Sequence, residues 1–212
     1  MMSDLLTSLP PGTLMMLAAI PLVMFPHHAR QVVMLLAIAG SAFSLTAGTG
    51  QHLNIEMLGF EMSLYRADHL SLPFAIVFHI AATLNVFYGW HERKANDHVA
   101  GLSYAGAAIA ALHAGDLVTL FIWWEATAVT SVFLILASGT QRARRAAMRY
   151  LIVQVASGVL LLAGSAMLYS QSGSLAFAGM TLGHTATWMI FIAFGIKAAF
   201  PLLNGWLQDS YP

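Results

Sequence analysis

A long apolar run with a single acid inside it constrains this chain most. From Leu117 to Leu136 the only charged residue is Glu125, and Asp116 stands immediately before the run. At about 1.5 Å of rise per residue, Glu125 lies about 13 Å from Asp116, near the middle of a hydrocarbon core about 30 Å thick. An ionisable group at that depth costs several kcal/mol, usually faces a bundle interior and often marks an ion path. The sequence therefore predicts a membrane helix whose acid needs a partner elsewhere in the chain.

The composition places the whole chain in the membrane. Of its 212 residues, 58% are hydrophobic and 8% are charged, whereas soluble domains have about 25% charged residues. The formal net charge is zero, so no basic field indicates nucleic acid as a partner. The chain has no cysteine, which excludes disulfides and thiolate metal sites. We expect no metal and no cofactor, because the histidines lack the helical i, i+4 spacing of a zinc site and no ligand set for haem or flavin is visible.

We predict an all-α membrane protein with about seven transmembrane helices in one domain covering residues 1–212. A small β-hairpin is expected between the second and third helices, because Ile55, Met57, Phe60, Met62 and Leu64 alternate with polar residues around Gly59. The predicted spans are Leu9 to Phe25, Gln31 to Thr49, Leu70 to Tyr88, Val99 to Ala114, Leu117 to Leu136, Met148 to Tyr169 and Thr185 to Phe200.

The basic residues predict an orientation. If the seven spans alternate, seven of the nine lysines and arginines fall on one side of the membrane. By the positive-inside rule this side is cytoplasmic, and the N-terminus is outside. Only Arg66 lies in a loop on the other side, and Lys197 lies inside the seventh span. The seven residues are Arg30, Arg93, Lys94, Arg142, Arg144, Arg145 and Arg149.

Lys197 is the candidate partner of Glu125. On this topology their two spans enter from the same side, and the two charges lie at similar depth. In a low-dielectric interior each charge favours the ionised form of the other. A static bridge that fixes helix packing is the alternative. Pro201 lacks a backbone donor and Asn204 precedes a glycine, so the last helix should break near Pro201; a plain helix terminus explains these residues equally well.

Two further residues are candidates for supporting roles. His79 lies about ten residues into the third span and could face the Glu125 site; a packed, hydrogen-bonded histidine is the alternative. Asp116 is well placed as a helix N-cap, and we favour that structural role.

Four stretches of the chain resemble one known family, the proton-conducting antiporters. This family comprises the antiporter-like subunits of respiratory complex I and the related subunits of Mrp-type Na⁺/H⁺ antiporters. Residues 66–74 resemble its D-G-L-S-x-P-F motif, with His69 in place of glycine, and residues 115–125 resemble its D-L-x-x-F-x-x-W-E helix. Residues 146–174 resemble K-Y-L … L-L-x-G … T-G, with Arg149 in place of lysine, and residues 197–209 resemble K-x-x-x-x-P-x-H-x-W-L-P-D.

The resemblance implies a role for each matched position. Glu125 corresponds to the family's membrane glutamate and Lys197 to its paired lysine on a broken helix. Together they would modulate a proton half-channel, with Arg149 and Asn204 as supporting positions. Asn204 stands where histidine is common, and it cannot relay protons by titrating as histidine does.

The length of the chain implies an incomplete pathway. Family members carry about fourteen helices, including two inverted five-helix repeats, and this chain would cover the first three helices and part of the first repeat. We therefore expect a proton-translocating subunit, with Na⁺/H⁺ exchange as a variant, in a multisubunit complex of the bacterial cytoplasmic membrane. Other membrane subunits, a chain supplying the missing C-terminal helices, and lipids would be its partners.

No catalytic or redox centre of its own is expected, although the parent complex would be of the NADH:quinone oxidoreductase or antiporter type. Two alternatives remain. The first is a non-transporting subunit that braces a respiratory or photosynthetic complex, and the second is a membrane component of inorganic-carbon uptake.

Overall fold

The computed structural model describes residues 7–57, 59–177 and 180–210 and is mostly helical. The chain divides into two compact units, Met1–Gly115 and Asp116–Pro212. The prediction of a single domain stays a prediction.

The first unit contains four α-helices and a β-hairpin within the described residues. Helix α1 is followed directly by a 3₁₀ turn, Ile20–Met24, because Pro21 cannot supply the backbone N–H of a continuing α-helix. Helices α2 and α3 also end in 3₁₀ turns, Ser44–Ala47 and Gly89–His91. The elements are α1 Thr13–Ala19, α2 His27–Phe43, β1 Gly50–Met57, β2 Phe60–Ala67, α3 Ser71–Tyr88 and α4 Ala95–Leu112.

The predicted hairpin is confirmed. Strands β1 and β2 pair antiparallel from Gly50 opposite Ala67 to Met57 opposite Phe60. Gly59, at the turn, has φ 79°, a left-handed conformation that glycine adopts without steric cost. The alternation in β2 turns Tyr65 inward, where its hydroxyl donates to the carbonyl of Ser44 at 3.0 Å and burial raises its pKa to about 12.

Helices α1, α2 and α4 enclose the core of the first unit. Met15, Met34, Ile38, Leu102 and Ile109 form its buried cluster together with neighbouring small residues. Glycines allow the backbones to approach, since a Cβ at position 12 or 106 would overlap the other glycine's backbone.

The second unit is built on a helical hairpin. Within the described residues it contains α5 Leu117–Leu136, α6 Gln141–Ser172, α7 Thr185–Lys197 and α8 Gly205–Ser210. Thr140 caps α6 by accepting a hydrogen bond from the Ala143 amide, and Gly173 ends it with φ 68°. The predicted sixth span began at Met148, but the helix begins seven residues earlier, so the arginines at 142–145 lie in its first turns.

The core of the second unit joins α5, α6 and α7. Leu117, Trp124, Leu161, Ile190 and Ala193 form its buried cluster. Helix α7 approaches α6 closely at Gly164, where an added Cβ would lie 2.8 Å from the carbonyl oxygen of Ala186.

Four helical segments in the described chain are long and apolar enough to cross a membrane: His27–Ala47, Ser71–His91, Leu117–Leu136 and Gln141–Ser172. The segments Thr13–Met24 and Thr185–Lys197 are shorter apolar helices. Polar residues Asn96, Asp97 and His98 open α4, which lowers its hydropathy. The seven-span count and the orientation therefore stay predictions.

Candidate functional site

The carboxyl group of Glu125 lies against α6 at Gly158. A Cβ added at position 158 would overlap Oε1 of Glu125 and lie 2.8 Å from its Cδ. Oε1 is buried and has no hydrogen-bond partner within the described chain. A buried polar oxygen without a partner costs about 1–3 kcal/mol. Glycine at 158 thus makes room for an acid held in an energetically unfavourable place.

Lys197 lies at the last position of α7 and reaches back to α5. Its Nζ donates to the backbone carbonyl of Trp124 at 3.1 Å and to Oγ1 of Thr127 at 3.0 Å. The same Nζ lies 4.9 Å from the centroid of the Trp124 ring, a cation–π geometry. The ammonium group is therefore held beside Glu125 by neutral groups.

Glu125 and Lys197 are neighbours but not a contact ion pair. The lysine binds the carbonyl of the residue that precedes Glu125, and each charge acts on the other. Within the described chain no ion pair shorter than 4.0 Å joins Glu125 to Lys197, and the ion pairs that do form involve other residues. The arrangement leaves a carboxylate oxygen and one lysine N–H available to other hydrogen-bonding groups.

Gln154, which is not among the predicted site residues, lies on α6 one turn from Gly158. Its side chain is fully buried, and neither Nε2 nor Oε1 has a partner in the described chain. Beside it, Oγ of Ser157 accepts from Nε1 of Trp124 at 3.1 Å and donates to the Gln154 carbonyl at 2.8 Å. The sequence signal that could have indicated Gln154 is its position as a single amide side chain within the apolar run of α6.

A second polar contact joins α5 and α6 further along the hairpin. Ser131 Oγ donates to the Tyr150 hydroxyl at 2.6 Å. Because α5 and α6 are antiparallel, Gln154 lies between this contact and the level of Glu125. The polar groups form a line along the buried face of the hairpin.

The chain turns sharply after Lys197. The amides of Ala199 and Phe200 donate back to Ile196 and Gly195 at 3.1 and 2.9 Å, which is the Schellman pattern of a helix end. Ala199 takes the left-handed position with φ 53°, where glycine is usual. Pro201 follows within the turn, and Trp206 Nε1 of α8 donates to the Ile196 carbonyl at 3.0 Å.

The remaining predicted supporting residues lie at separate places. Arg149 Nε pairs with Asp209 at 3.2 Å on an exposed surface, where such a pair contributes little stability. Asn204 is half-buried directly before α8, and its carbonyl accepts from the Leu207 amide at 3.0 Å. The hydrogen bonds of Lys197 within the described chain go to other residues, Trp124 and Thr127.

Asp116 caps α5, as predicted. Oδ1 accepts from the amides of Val118 and Thr119 at 2.9 and 2.8 Å, and Oδ2 accepts from the Thr119 hydroxyl at 2.7 Å. The side chain is buried, so the N-cap interpretation is confirmed.

His79 is a packed histidine of the first unit. Its Nδ1 donates to the Ala75 carbonyl at 2.7 Å, and Nε2 lies 2.9 Å from Ser41 Oγ, which itself accepts from the Gly12 amide. Because Nδ1 must donate, Nε2 of the neutral ring accepts from the serine. Both ring nitrogens are thus satisfied inside this unit, and the predicted approach to Glu125 stays a prediction.

A metal site is not formed by side chains in the described ranges, where no group of three or more histidine or acidic residues comes together. The polar atoms at Glu125, Gln154 and Lys197 are suited to hydrogen bonding and proton exchange instead.

Comparison with known proteins identifies a family for the second half of the chain. Residues 114–212 match the family described as NADH:quinone oxidoreductase/Mrp antiporter, TM. This segment belongs to that antiporter family. Among curated relatives, NAD(P)H-quinone oxidoreductase chain 4 of a Synechococcus species is 28% identical over 169 residues, covering 74% of this chain and 32% of the relative. A Na⁺/H⁺ antiporter protein of Bacillus subtilis is 25% identical over 131 residues, covering 57% and 27%.

The similarity to solved structures extends over both units. A chain of respiratory complex I from Thermus thermophilus matches with a TM-score of 0.77 and 19% identity, covering 95% of this chain and 47% of that one. A chain of the archaeal membrane-bound sulfane sulfur reductase matches with a TM-score of 0.73 over 99% and 47%. The chain thus has the antiporter-type fold, is an integral multi-pass membrane protein, and spans about a third of the length of its first curated relative.

Proposed function

We propose that the chain is a proton-translocating subunit of a multisubunit membrane complex of the complex I or Mrp type. All seven predicted spans cross the bacterial cytoplasmic membrane as one domain, with the N-terminus outside. Na⁺/H⁺ exchange is the variant suggested by the name of the Bacillus subtilis relative. Other membrane subunits, including a chain that supplies the remaining helices, complete the pathway, since the solved neighbours are multisubunit respiratory complexes.

The observation that carries this proposal is the placement of two opposite charges on neighbouring helices without a direct ion pair. Glu125 presents a buried oxygen that has no partner among the described residues at Gly158, while Lys197 is anchored by the Trp124 carbonyl and the Thr127 hydroxyl, on either side of Glu125 in the sequence. A static bridge would satisfy both charges directly. A carboxyl group that lacks a fixed partner can instead take up and release a proton as the neighbouring charge demands.

Gln154 provides the next step of the path. Its unpartnered amide lies between Glu125 and the Ser131–Tyr150 hydrogen bond. Buried polar groups of this kind are commonly satisfied by ordered water. Water bound there would connect Glu125 to the Tyr150 hydroxyl, towards the end of the hairpin that carries the arginines of α6.

The test is proton uptake by inverted membrane vesicles that contain the chain with its copurifying subunits, followed by quenching of an acridine dye. We expect Glu125→Gln and Lys197→Ala to lower uptake about tenfold or more, because each removes one charge of the pair. The matched controls are Glu56→Gln and Lys94→Ala, which remove the same charges at exposed positions and should leave uptake within about twofold.

Uptake that is unchanged in both site variants would contradict transport and leave the bracing role as the function. Equal losses in the site and control variants would show a general loss of assembly, so the amount of assembled complex is measured in each preparation by quantitative blotting.

A further inference from the structure

Arg30 in the first unit is a buried cation without an acceptor among the described residues. The residue is 8% exposed, and its Nε and Nη1 atoms are buried with no hydrogen-bond partner in the described chain. Guanidinium N–H groups are strong donors that are normally paired when buried, and leaving a buried charge unpaired is strongly destabilising. No described residue supplies an anion or a neutral acceptor to these atoms, so a group from outside the described part of the chain would satisfy Arg30.

Arg30 belongs to a group of basic residues centred on His27, so the ligand is expected to be negatively charged. His28, Arg30, Arg93 and His98 all lie close enough to His27 to act on its charge. The His27 ring centroid lies 5.0 Å from that of His28 and 6.4 Å from that of His98.

Glu92 and Asp97 directly precede Arg93 and His98 in the sequence but do not pair with Arg30 in the described chain. Glu92 Oε1 accepts from the backbone amides of Arg93 and Lys94 at 2.8 and 3.0 Å, and Asp97 lies in the first turn of α4. Neither acid forms an ion pair with Arg30 among the described residues.

The same place is the N-terminus of α2. Pro26 precedes the helix, and no side chain caps it. Arg30 is the fourth residue of α2, and side chains on a helix generally tilt towards its N-terminus, so this arginine belongs to the same end of the helix as the uncapped amides. An uncapped helix N-terminus attracts phosphate groups through its free amides and its dipole. Two independent features, the buried unpaired arginine and the open helix end, therefore favour the same ligand.

The surface around this site is that of a membrane interface. Val23, Met24 and Phe25, which lead into α2, are exposed apolar residues, with Met24 83% exposed. Tyr88 and Trp90, at the end of α3, are exposed aromatic residues and are typical of the headgroup level of a bilayer. A ligand with an acidic head and apolar tails fits both parts of the surface.

We infer that Arg30 and the N-terminus of α2 bind the phosphate of an anionic phospholipid, with His28 and Arg93 at the rim and the acyl chains along Val23 to Phe25. The site lies entirely in the first unit and is separate from Glu125 and Lys197. It would fasten this end of the unit to the lipid headgroups.

The experiment titrates the delipidated full chain in detergent with phosphatidylglycerol, phosphatidylcholine or inorganic phosphate and follows the thermal unfolding midpoint. Phosphatidylglycerol should raise the midpoint by mass action and phosphatidylcholine should not. Arg30→Gln should raise the half-saturating phosphatidylglycerol concentration about tenfold, because it removes a charge-assisted fork of donors. The matched control, Arg144→Gln, removes a charge from the exposed face of α6. It should change the half-saturating phosphatidylglycerol concentration by less than about twofold.

Four outcomes decide the proposal. Competition between inorganic phosphate and phosphatidylglycerol supports a site for the phosphate group. Stabilisation by inorganic phosphate alone assigns the site to the free ion and overturns the lipid. Equal effects of Arg30→Gln and Arg144→Gln also overturn the proposal, because they would show that the lipid responds only to the overall surface charge. No effect of any anion overturns it as well and points to an acid of a neighbouring subunit.

A second variant protects the test against a folding defect. If Arg30→Gln does not fold, the double variant His28→Gln, Arg93→Gln, which alters only exposed residues, should still raise the half-saturating concentration about threefold. An unchanged titration of that folded variant would contradict the inference.

Discussion

Replacing Gly158 with alanine should displace the carboxyl group of Glu125. The added Cβ would overlap Oε1 and lie 2.8 Å from Cδ of Glu125, closer than the 3.0 Å that real Cβ atoms keep. The carboxyl group must therefore rotate away, or α5 and α6 must separate. Either movement changes the place that the structure gives to this acid.

Two opposing terms set the size of the effect on stability. In an open helical position, alanine stabilises a helix by about 1 kcal/mol relative to glycine. Overpacking a buried contact costs about 1–3 kcal/mol. We expect the free energy of unfolding of Gly158→Ala to fall by about 0–2 kcal/mol from wild type. At Gly101, where a Cβ meets nothing within 4 Å, the same substitution should raise it by up to about 1 kcal/mol.

The measurement is reversible unfolding in detergent micelles, followed by circular dichroism, for both single variants and for Gly158→Ala combined with Glu125→Asp. Aspartate keeps the charge but is one methylene shorter, so its carboxyl group no longer reaches over position 158. The double variant should therefore be no less stable than Glu125→Asp alone. If Gly158→Ala is as stable as Gly101→Ala, or if the shorter acid brings no recovery, the carboxyl group does not occupy this space.

Three other outcomes are expected. Asp116→Ala should lower the free energy of unfolding by about 1–2 kcal/mol through loss of the α5 cap, measured in the same assay, whereas Asp116→Asn should retain part of it. The hydrogen bond from the Ser71 backbone amide lowers the pKa of Asp68, so its carboxylate stabilises the fold above the ordinary aspartate pKa. That contribution should disappear as the pH falls through the lowered pKa, and a pH titration of Asp68→Asn should lack the corresponding loss. Gln154→Leu should lower proton uptake about tenfold without lowering the free energy of unfolding, since a buried amide without a partner destabilises the fold. A large loss of stability with normal uptake would show a packing role.

Features with a local cause were predictable from the sequence. The hairpin follows from alternation around Gly59, and the cap of α5 follows from an aspartate placed directly before an apolar run. The first turns of α6 were missed because apolarity was used to set its start. Arginine and alanine are good helix formers, and Thr140 caps the helix well before the apolar stretch begins.

Features that depend on packing register were not predictable. The sequence indicated Lys197 as a partner of Glu125 by depth alone, but the acceptors of its ammonium group are the Trp124 carbonyl and Thr127 Oγ1. Any carbonyl can accept a hydrogen bond, so the choice is made by how α7 lies on α5. The same holds for Gly158, whose missing side chain has meaning only when Glu125 is placed opposite it.

The neutral anchors of Lys197 have a consequence for how the two charges communicate. A lysine held by a carboxylate would be released whenever that carboxylate gained a proton. Lys197 is held by a main-chain carbonyl and a hydroxyl, neither of which titrates near neutral pH. Neutralising Glu125 would therefore change the electrostatic potential at the ammonium group while its position stayed the same. On this geometry Glu125 and Lys197 would be coupled through the electric field alone, without any movement of the lysine side chain.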